Sequence, residues 1–333
     1  MAGGTDRTRA HAHDGGHARG HRHAHERAHG SHAHPAPESL SARLLASVVV
    51  NLAITIAQVV GGILAGSLSL LSDAAHNASD VLGLVLAYVA NRAGRLPASE
   101  RRTYAFKRAE VLAAFINAAG LLAVSVWVLI EAAGRLLRPT PVEGGVVAVL
   151  AGVGLVANTA AAVLLRGGRD LNVRSAFLHL VADAVTSFGV LLGGVVMLLT
   201  GWAAVDALVS IALALWMIRE SFAIVRASTD VLLDAVPAGV VLGEVQRTLL
   251  SGEHVVEVHD LHVWSLSSTE RALSAHLVTD CTDLEALSVS LARIKAELRE
   301  RHGIEHSTLE LECAGGECAG AQCVLPYEDA WRS

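Results

Sequence analysis

The sequence predicts an α-helical membrane protein, six transmembrane helices followed by a small cytosolic α+β domain, and three observations carry that reading. Its 333 residues are 52% hydrophobic and only 17% charged, with a mean hydropathy of +0.46, too apolar for an ordinary soluble chain. Six predominantly apolar runs follow one another, each about long enough to cross ~30 Å of hydrocarbon. Beyond Val236 the composition turns polar and the spacing of apolar residues changes. The 26 Lys and Arg against 32 Asp and Glu leave a net charge of −6, without a basic stripe that would follow a phosphate backbone, which argues against nucleic-acid binding.

Residues 1–39 read as a disordered cytosolic arm. It holds His11, His13, His17, His21, His23, His25, His29, His32 and His34, and no apolar stretch behind a basic start that would make a signal peptide. Such a tract either gathers zinc or nickel weakly near a transport entrance or is a solvated arm without a role in transport. Residues 40–228 form the expected transmembrane domain, with spans near Leu44–Leu64, Ser69–Ala90, Ala109–Ile130, Val146–Leu165, Ala176–Leu199 and Trp202–Ile224. Helices are required, because these runs lack strand alternation and open backbone cannot face lipid. Arg219 and Glu220, in the last run, should lie at or beyond its interface with water.

Loop charge sets the orientation. Arg92, Arg95, Arg101, Arg102, Lys107 and Arg108 lie between the second and third spans, and Arg166, Arg169 and Arg174 between the fourth and fifth, against Arg135 and Arg138 after the third. The bias puts both termini in the cytoplasm.

Residues 229–312 read as a cytosolic domain with an amphipathic helix over Gly239–Leu250, strands over Val255–Leu266 and Arg271–Thr279, a helix over Leu284–Arg301 and a strand over Ile304–Glu312. That αββαβ order is ferredoxin-like, with the helices on one face of a short sheet. A tail of residues 313–333 follows. Cys281, Cys313, Cys318 and Cys323 are too few and too localised for a secreted disulfide framework, and fit a reducing compartment.

Ionisable residues inside a span cost roughly 2.5–3.5 kcal/mol each on insertion scales, so those present ask for a reason. The pattern His-x-x-x-Asp occurs twice, as His76 to Asp80 in the second span and His179 to Asp183 in the fifth. Positions i and i+4 share a helix face. If the two faces meet, two nitrogens and two carboxylate oxygens converge without a thiolate, a set suited to tetrahedral zinc, with cobalt and cadmium as rivals. Hydrogen-bonding glue between helices is the plainer reading, and it suits Asn51, Gln58, Asn117 and Asn158. Glue does not require carboxylate beside imidazole where charge is most expensive. Asp73 and Asp206 are either partners of the ligands or end-of-helix charges reaching for headgroups. One point does not close: the second-span pair sits near mid-span, whereas the fifth-span pair lies about 10 Å closer to the cytoplasmic end. A displaced fifth helix, a misplaced boundary or a cytoplasmic water-filled cavity would reconcile them.

The run Gly66-Ser67-Leu68-Ser69-Leu70-Leu71-Ser72-Asp73-Ala74-Ala75-His76-Asn77-Ala78-Ser79-Asp80, the stretch from Arg101 to Leu112, the segment Leu178–Asp183 and the stretch Val258–Leu266 together resemble the cation diffusion facilitator family. Within it the chain resembles bacterial zinc/cadmium/cobalt exporters, over roughly residues 40–312. The resemblance implies a homodimer in the bacterial inner membrane that exports divalent metal, most naturally zinc, from the cytoplasm in exchange for protons, and is not an enzyme. It maps the transport site onto His76, Asp80, His179 and Asp183. It also implies a cytosolic metal site at His259 and His276, on adjacent expected strands, with Glu312 in a carboxylate position. His262, three residues from His259, faces the opposite way in a regular strand and reads as packed beside Trp264. The second-to-third loop has no His or Cys between Asn91 and Arg108, against a further zinc site there. The tail cysteines would supply thiolates, although their spacing is not that of paired zinc-binding cysteines. A membrane-embedded zinc hydrolase would need an open coordination position and a general base, and neither His pair has the His-Glu-x-x-His form. A metal sensor without transport leaves the costly intramembrane ligands unexplained.

Overall fold

The computed structural model describes residues 37–166, 171–280 and 283–314. The histidine-rich arm, Cys281, Cys318 and Cys323 lie outside them. Six long helices come first: α1 Pro37–Ala65, α2 Leu68–Gly94, α3 Ala109–Leu137, α4 Gly144–Leu165, α5 Leu171–Thr200 and α6 Ala204–Leu232. The shortest has 22 residues, about 33 Å at ~1.5 Å per residue, enough to span. Large apolar side chains point outward along them, among them Ile63, Leu64, Leu137, Val156 and Leu164, all more than 60% exposed. That inversion of the soluble pattern is what lipid demands. Small and hydroxyl residues pack inward: Ala132, Ala151, Ser125, Ser210 and Ala214 are fully buried.

Close helix approach depends on missing side chains at two positions. A Cβ at Gly144 of α4 would meet the Leu198 backbone of α5 at 2.8 Å, and one at Gly194 of α5 would meet the Ala148 backbone at 2.7 Å. The α4/α5 pair therefore packs backbone to backbone. Polar residues join the other helices. Asn117 of α3 donates to the Ser79 carbonyl of α2 at 3.1 Å, and Gln58 of α1 accepts from Asn77 of α2 at 3.1 Å. Both fit the glue reading.

The turn from α1 to α2 passes through Gly66, at φ +66°, a left-handed conformation that favours glycine. Ser67 then caps α2, accepting from Leu70 N at 3.1 Å. A second cap comes from α6. Asp206, 1% exposed, accepts from Ser67 Oγ at 2.6 Å, Leu68 N at 2.8 Å and Ser69 Oγ at 2.6 Å. Its negative charge sits against the positive end of the α2 dipole. Asp206 thus holds a helix start and does not reach for headgroups.

The C-terminal domain contains α7 Leu242–Leu250, β1 Val255–Ser265, β2 Arg271–Thr279, α8 Leu284–His302 and β3 Ile304–Cys313. The expected αββαβ order holds. Helix α7 starts three residues later than Gly239, because Gly239 takes φ +81° in the preceding turn. The sheet order is β1-β2-β3, with β1 and β2 antiparallel and β2 and β3 parallel. One face of the sheet buries Val258, Leu261, Val263, Leu273, Ala275 and Leu277 against Val245 and Leu249 of α7 and Ile294 and Leu298 of α8. The other face is open. Contacts tie this domain to the start of α3 and the segment before it, among them Lys107 to Glu270, Arg108 to Asp234, Ser268 N to Glu110 at 2.9 Å, and the Tyr104 ring against His306.

Candidate metal centres

The two His-x-x-x-Asp faces meet. Asp80 Oδ2 lies 3.7 Å from His76 Nε2 and 3.5 Å from His179 Nε2. Across from it, Asp183 turns Oδ1 to His76 Nε2 at 3.3 Å and Oδ2 to His179 Nε2 at 3.6 Å. Nitrogen and oxygen alternate around a closed ring. A tetrahedral zinc with bonds of about 2.0–2.1 Å separates its donors by about 3.3 Å, close to the spacing here. Among the described residues, Asp80 Oδ2 and His76 Nδ1 are buried without a hydrogen-bond partner, and an unsatisfied buried carboxylate oxygen is costly unless a cation meets it. Donor atoms of His76, Asp80 and Asp183 lie within 4.8 Å of one another and form a candidate group for a divalent metal, which His179 adjoins through its contacts to both carboxylates.

The mismatch in depth is not removed by the helix boundaries: α5 begins at Leu171, five residues before the expected Ala176, but α2 also runs on to Gly94, four beyond Ala90, so the pairs still differ by about 9 Å along their helices. A cavity of about 580 Å³ extends from His76, Asp80 and His179 past Ala87 to Asn91, Glu110 and Glu220, at the end of the bundle bearing the α2–α3 connection. Glu220 lines this cavity from within α6, where the sequence placed it at the interface. Trp216 of α6 sets its ring edge-on to His76, with centroids 5.2 Å apart. A tryptophan on an apolar helix carries no sequence signal for such a contact.

The second group lies on the open face of the C-terminal sheet. His259 and His276 are register partners on β1 and β2, their rings 5.1 Å apart. His276 Nδ1 is 2.8 Å from Glu312 Oε1, and His259 Nε2 is 3.2 Å from Glu312 Oε2. One donor atom from each of the three residues falls within 4.8 Å of the others, and two imidazoles with a carboxylate fit zinc chemistry. Burial works to raise the Glu312 carboxyl. The hydrogen bonds and charge of His276 and His259 outweigh it, holding the group below the ordinary carboxylate range.

The expectation for His262 is corrected. The register shifts between His259 and His262, because Asp260 takes φ +49° and one extra residue bulges out of β1. His259 then pairs with His276 and His262 with Ser274, so His262 joins the same open face instead of facing the core. It is half-exposed, with Nε2 2.9 Å from Asp260 Oδ1. Asp260 itself, overlooked in the sequence, also brings Oδ2 to 3.6 Å from His276 Nε2. Cys313, the described tail cysteine, is exposed at the end of β3.

Two family models match the chain: the cation efflux transmembrane domain over residues 44–233 and the cation efflux protein cytoplasmic domain over residues 237–313. The metal cation efflux system protein CzcD of Cupriavidus metallidurans is 35% identical over 293 residues, covering 87% of this chain and 92% of that protein. The zinc transporter ZitB of Escherichia coli is 34% identical over 300 residues, covering 86% and 95%. The cadmium, cobalt and zinc/H(+)-K(+) antiporter of Bacillus subtilis is 34% identical over 276 residues, covering 81% and 88%. Among solved structures, the metal-bound C-terminal domain of the CzcD transporter is 34% identical, covering 22% of this chain and 99% of that one with a TM-score of 0.20. The chain belongs to the cation efflux family, and it is a multi-pass membrane transporter of metal cations, not an enzyme.

Proposed function

We propose that this protein exports zinc, with cadmium and cobalt as chemically related cargo, from the cytoplasm in exchange for protons, using His76, Asp80, His179 and Asp183 as the transport site. The observation that carries the reading is the closed ring of two imidazole nitrogens and two carboxylates with sides of 3.3–3.7 Å. Relatives named as zinc transporter and as cadmium, cobalt and zinc antiporter support the cargo class. Metal enters through the cavity lined by Glu110 and Glu220, whose carboxylates attract cations toward Asp80. Zinc and protons compete for the same donor atoms, so release on an acidic side is favoured by protonation of the vacated ligands.

The protein works as a homodimer in the inner membrane, with both termini and the C-terminal domain in the cytoplasm. The loop-charge bias supports this orientation, and the match of residues 237–313 to the family's cytoplasmic domain supports the side. Zinc at His259, His276 and Glu312 acts as a ligand that biases how closely two C-terminal domains approach, through differential affinity for the two arrangements. The test is zinc flux in proteoliposomes with the cavity side outward. Accumulation that accelerates when the lumen is acidic and vanishes in Asp183→Ala is the expected result; flux unaffected by that substitution rejects the assignment.

A further inference from the structure

Among the described residues, no hydrogen bond fixes the second ring nitrogen of His76. Its Nε2 faces Asp183 Oδ1 at 3.3 Å and Asp80 Oδ2 at 3.7 Å, while the buried Nδ1 meets no protein partner there. A metal-bound imidazole ordinarily donates that second nitrogen to a carboxylate or a carbonyl, and the bond sets the plane of the ring. The terminal torsion of a histidine is broad and roughly two-fold. A ring without such a bond needs another restraint to keep Nε2 toward the carboxylates.

Ring contacts supply one. The Trp216 indole and the His76 imidazole lie 5.2 Å apart between centroids, with their planes 66° from parallel, within the T-shaped geometry that aromatic pairs prefer. The His179 ring is farther off, at 6.2 Å, and is itself a candidate ligand. Trp216 belongs to α6, which carries none of the four. Its place on that helix is fixed: Ala214 and Met217 beside it are buried, and ten residues earlier Asp206 grips Ser67, Leu68 and Ser69 at the start of α2. The helix bearing His76 and the helix bearing Trp216 are thus pinned together about 15 Å along α6 from the ring contact. Trp216 also lines the cavity beside His76, Asp80 and His179, so the contact stands where the cavity meets the ligands.

We infer that Trp216 is a positioning residue of the metal site: its indole holds the His76 imidazole with Nε2 turned to the carboxylates, in place of a hydrogen bond from Nδ1. This rests on the four-residue site proposed above. Trp216 offers the site no donor atom and acts through His76, by keeping one ring orientation populated before metal arrives. With the indole gone, Nε2 faces the carboxylates only part of the time, and apparent affinity falls with the fraction of protein that is binding-competent.

The test uses cobalt, whose visible bands report the geometry of its donors, titrated into the purified full-length protein. The bands of the membrane site are those lost in His76→Ala. In Trp216→Leu they should weaken and shift, and zinc should displace the cobalt with about tenfold lower affinity, the lower end of what losing a ligand's supporting partner costs. Trp216→Phe, which keeps an aromatic ring, should restore both. A merely structural role would lower the thermal midpoint and leave the bands of the folded protein as they are. Wild-type bands and affinity in Trp216→Leu overturn the inference and leave the metal site standing. Equal losses in Trp216→Phe also overturn it, because bulk and not a ring contact then acts. Bands that survive His76→Ala intact reject the four-residue site and this inference with it. Should Trp216→Leu fail to fold, fluorine NMR of the fluorotryptophan-labelled protein decides. The Trp216 signal, assigned by its loss in Trp216→Phe, should shift when zinc binds and stay in place in His76→Ala. A signal that zinc leaves unmoved contradicts the inference.

Discussion

Asp80 Oδ2 stands between two imidazoles on different helices, 3.7 Å from His76 Nε2 and 3.5 Å from His179 Nε2. One carboxylate oxygen thus joins α2 to α5, and among the described residues no contact to it meets hydrogen-bond geometry. Removing this group opens the ring and leaves Asp183 as the carboxylate facing both imidazoles.

Asp80→Asn should therefore lower zinc affinity more than the about 10–100-fold typical of losing a ligand's supporting partner. Insertion should be intact, since a neutral amide is easier to place in a span than a carboxylate. Isothermal titration with zinc, beside a membrane-fraction immunoblot, checks both statements.

Replacing both nitrogens with harder oxygens changes the cargo. His76→Asp combined with His179→Asp should weaken zinc discrimination and admit manganese more readily, because carboxylate donors suit harder ions. Competition among metals in proteoliposomes reads the order of preference. An unaltered order would assign selection to something other than ligand type.

How much of this was legible in the sequence differs between the two centres. The i, i+4 spacing of His76/Asp80 and His179/Asp183 already placed each pair on one helix face, because helical geometry is regular. The open sheet face was read less well. Period-2 reasoning put His262 opposite His259, yet a single residue, Asp260 at φ +49°, shifts the register and turns His262 to the same side. Such a bulge depends on pairing with β2 and leaves no compositional trace. The partners of Asp73 were equally hidden, since they come from Gln58 in another helix and from Thr186 and Ser187 more than 110 positions away.

Asp206 should matter for stability more than for cargo. Asp206→Ala leaves Ser67, Ser69 and the Leu68 N–H without their shared acceptor, at a cost of about 2–4 kcal/mol for lost charged hydrogen bonds and a buried donor. Thermal unfolding in detergent should show a lowered midpoint, and the protein that remains folded should keep its zinc affinity. A midpoint equal to the wild type would mean that α2 is held by other contacts.

On the C-terminal sheet, Glu312→Gln removes the carboxylate on which both His259 and His276 converge. It should eliminate one zinc equivalent from the binding stoichiometry of the full-length protein while leaving the membrane site titratable. Equilibrium dialysis counts the ions bound, and an unchanged count would leave these three residues as surface and fold.

The central claim, exchange of zinc for protons at the intramembrane ring, is tested most directly by a pH-sensitive dye sealed inside proteoliposomes during an external zinc pulse. With the cavity side outward, zinc entering the lumen should drive protons out and raise luminal pH. That signal should be absent when Asp183→Ala replaces the wild type, since protons and metal use the same ligands. Zinc accumulation without any Asp183-sensitive change in luminal pH would contradict exchange and leave metal diffusing down its own gradient through the same four residues.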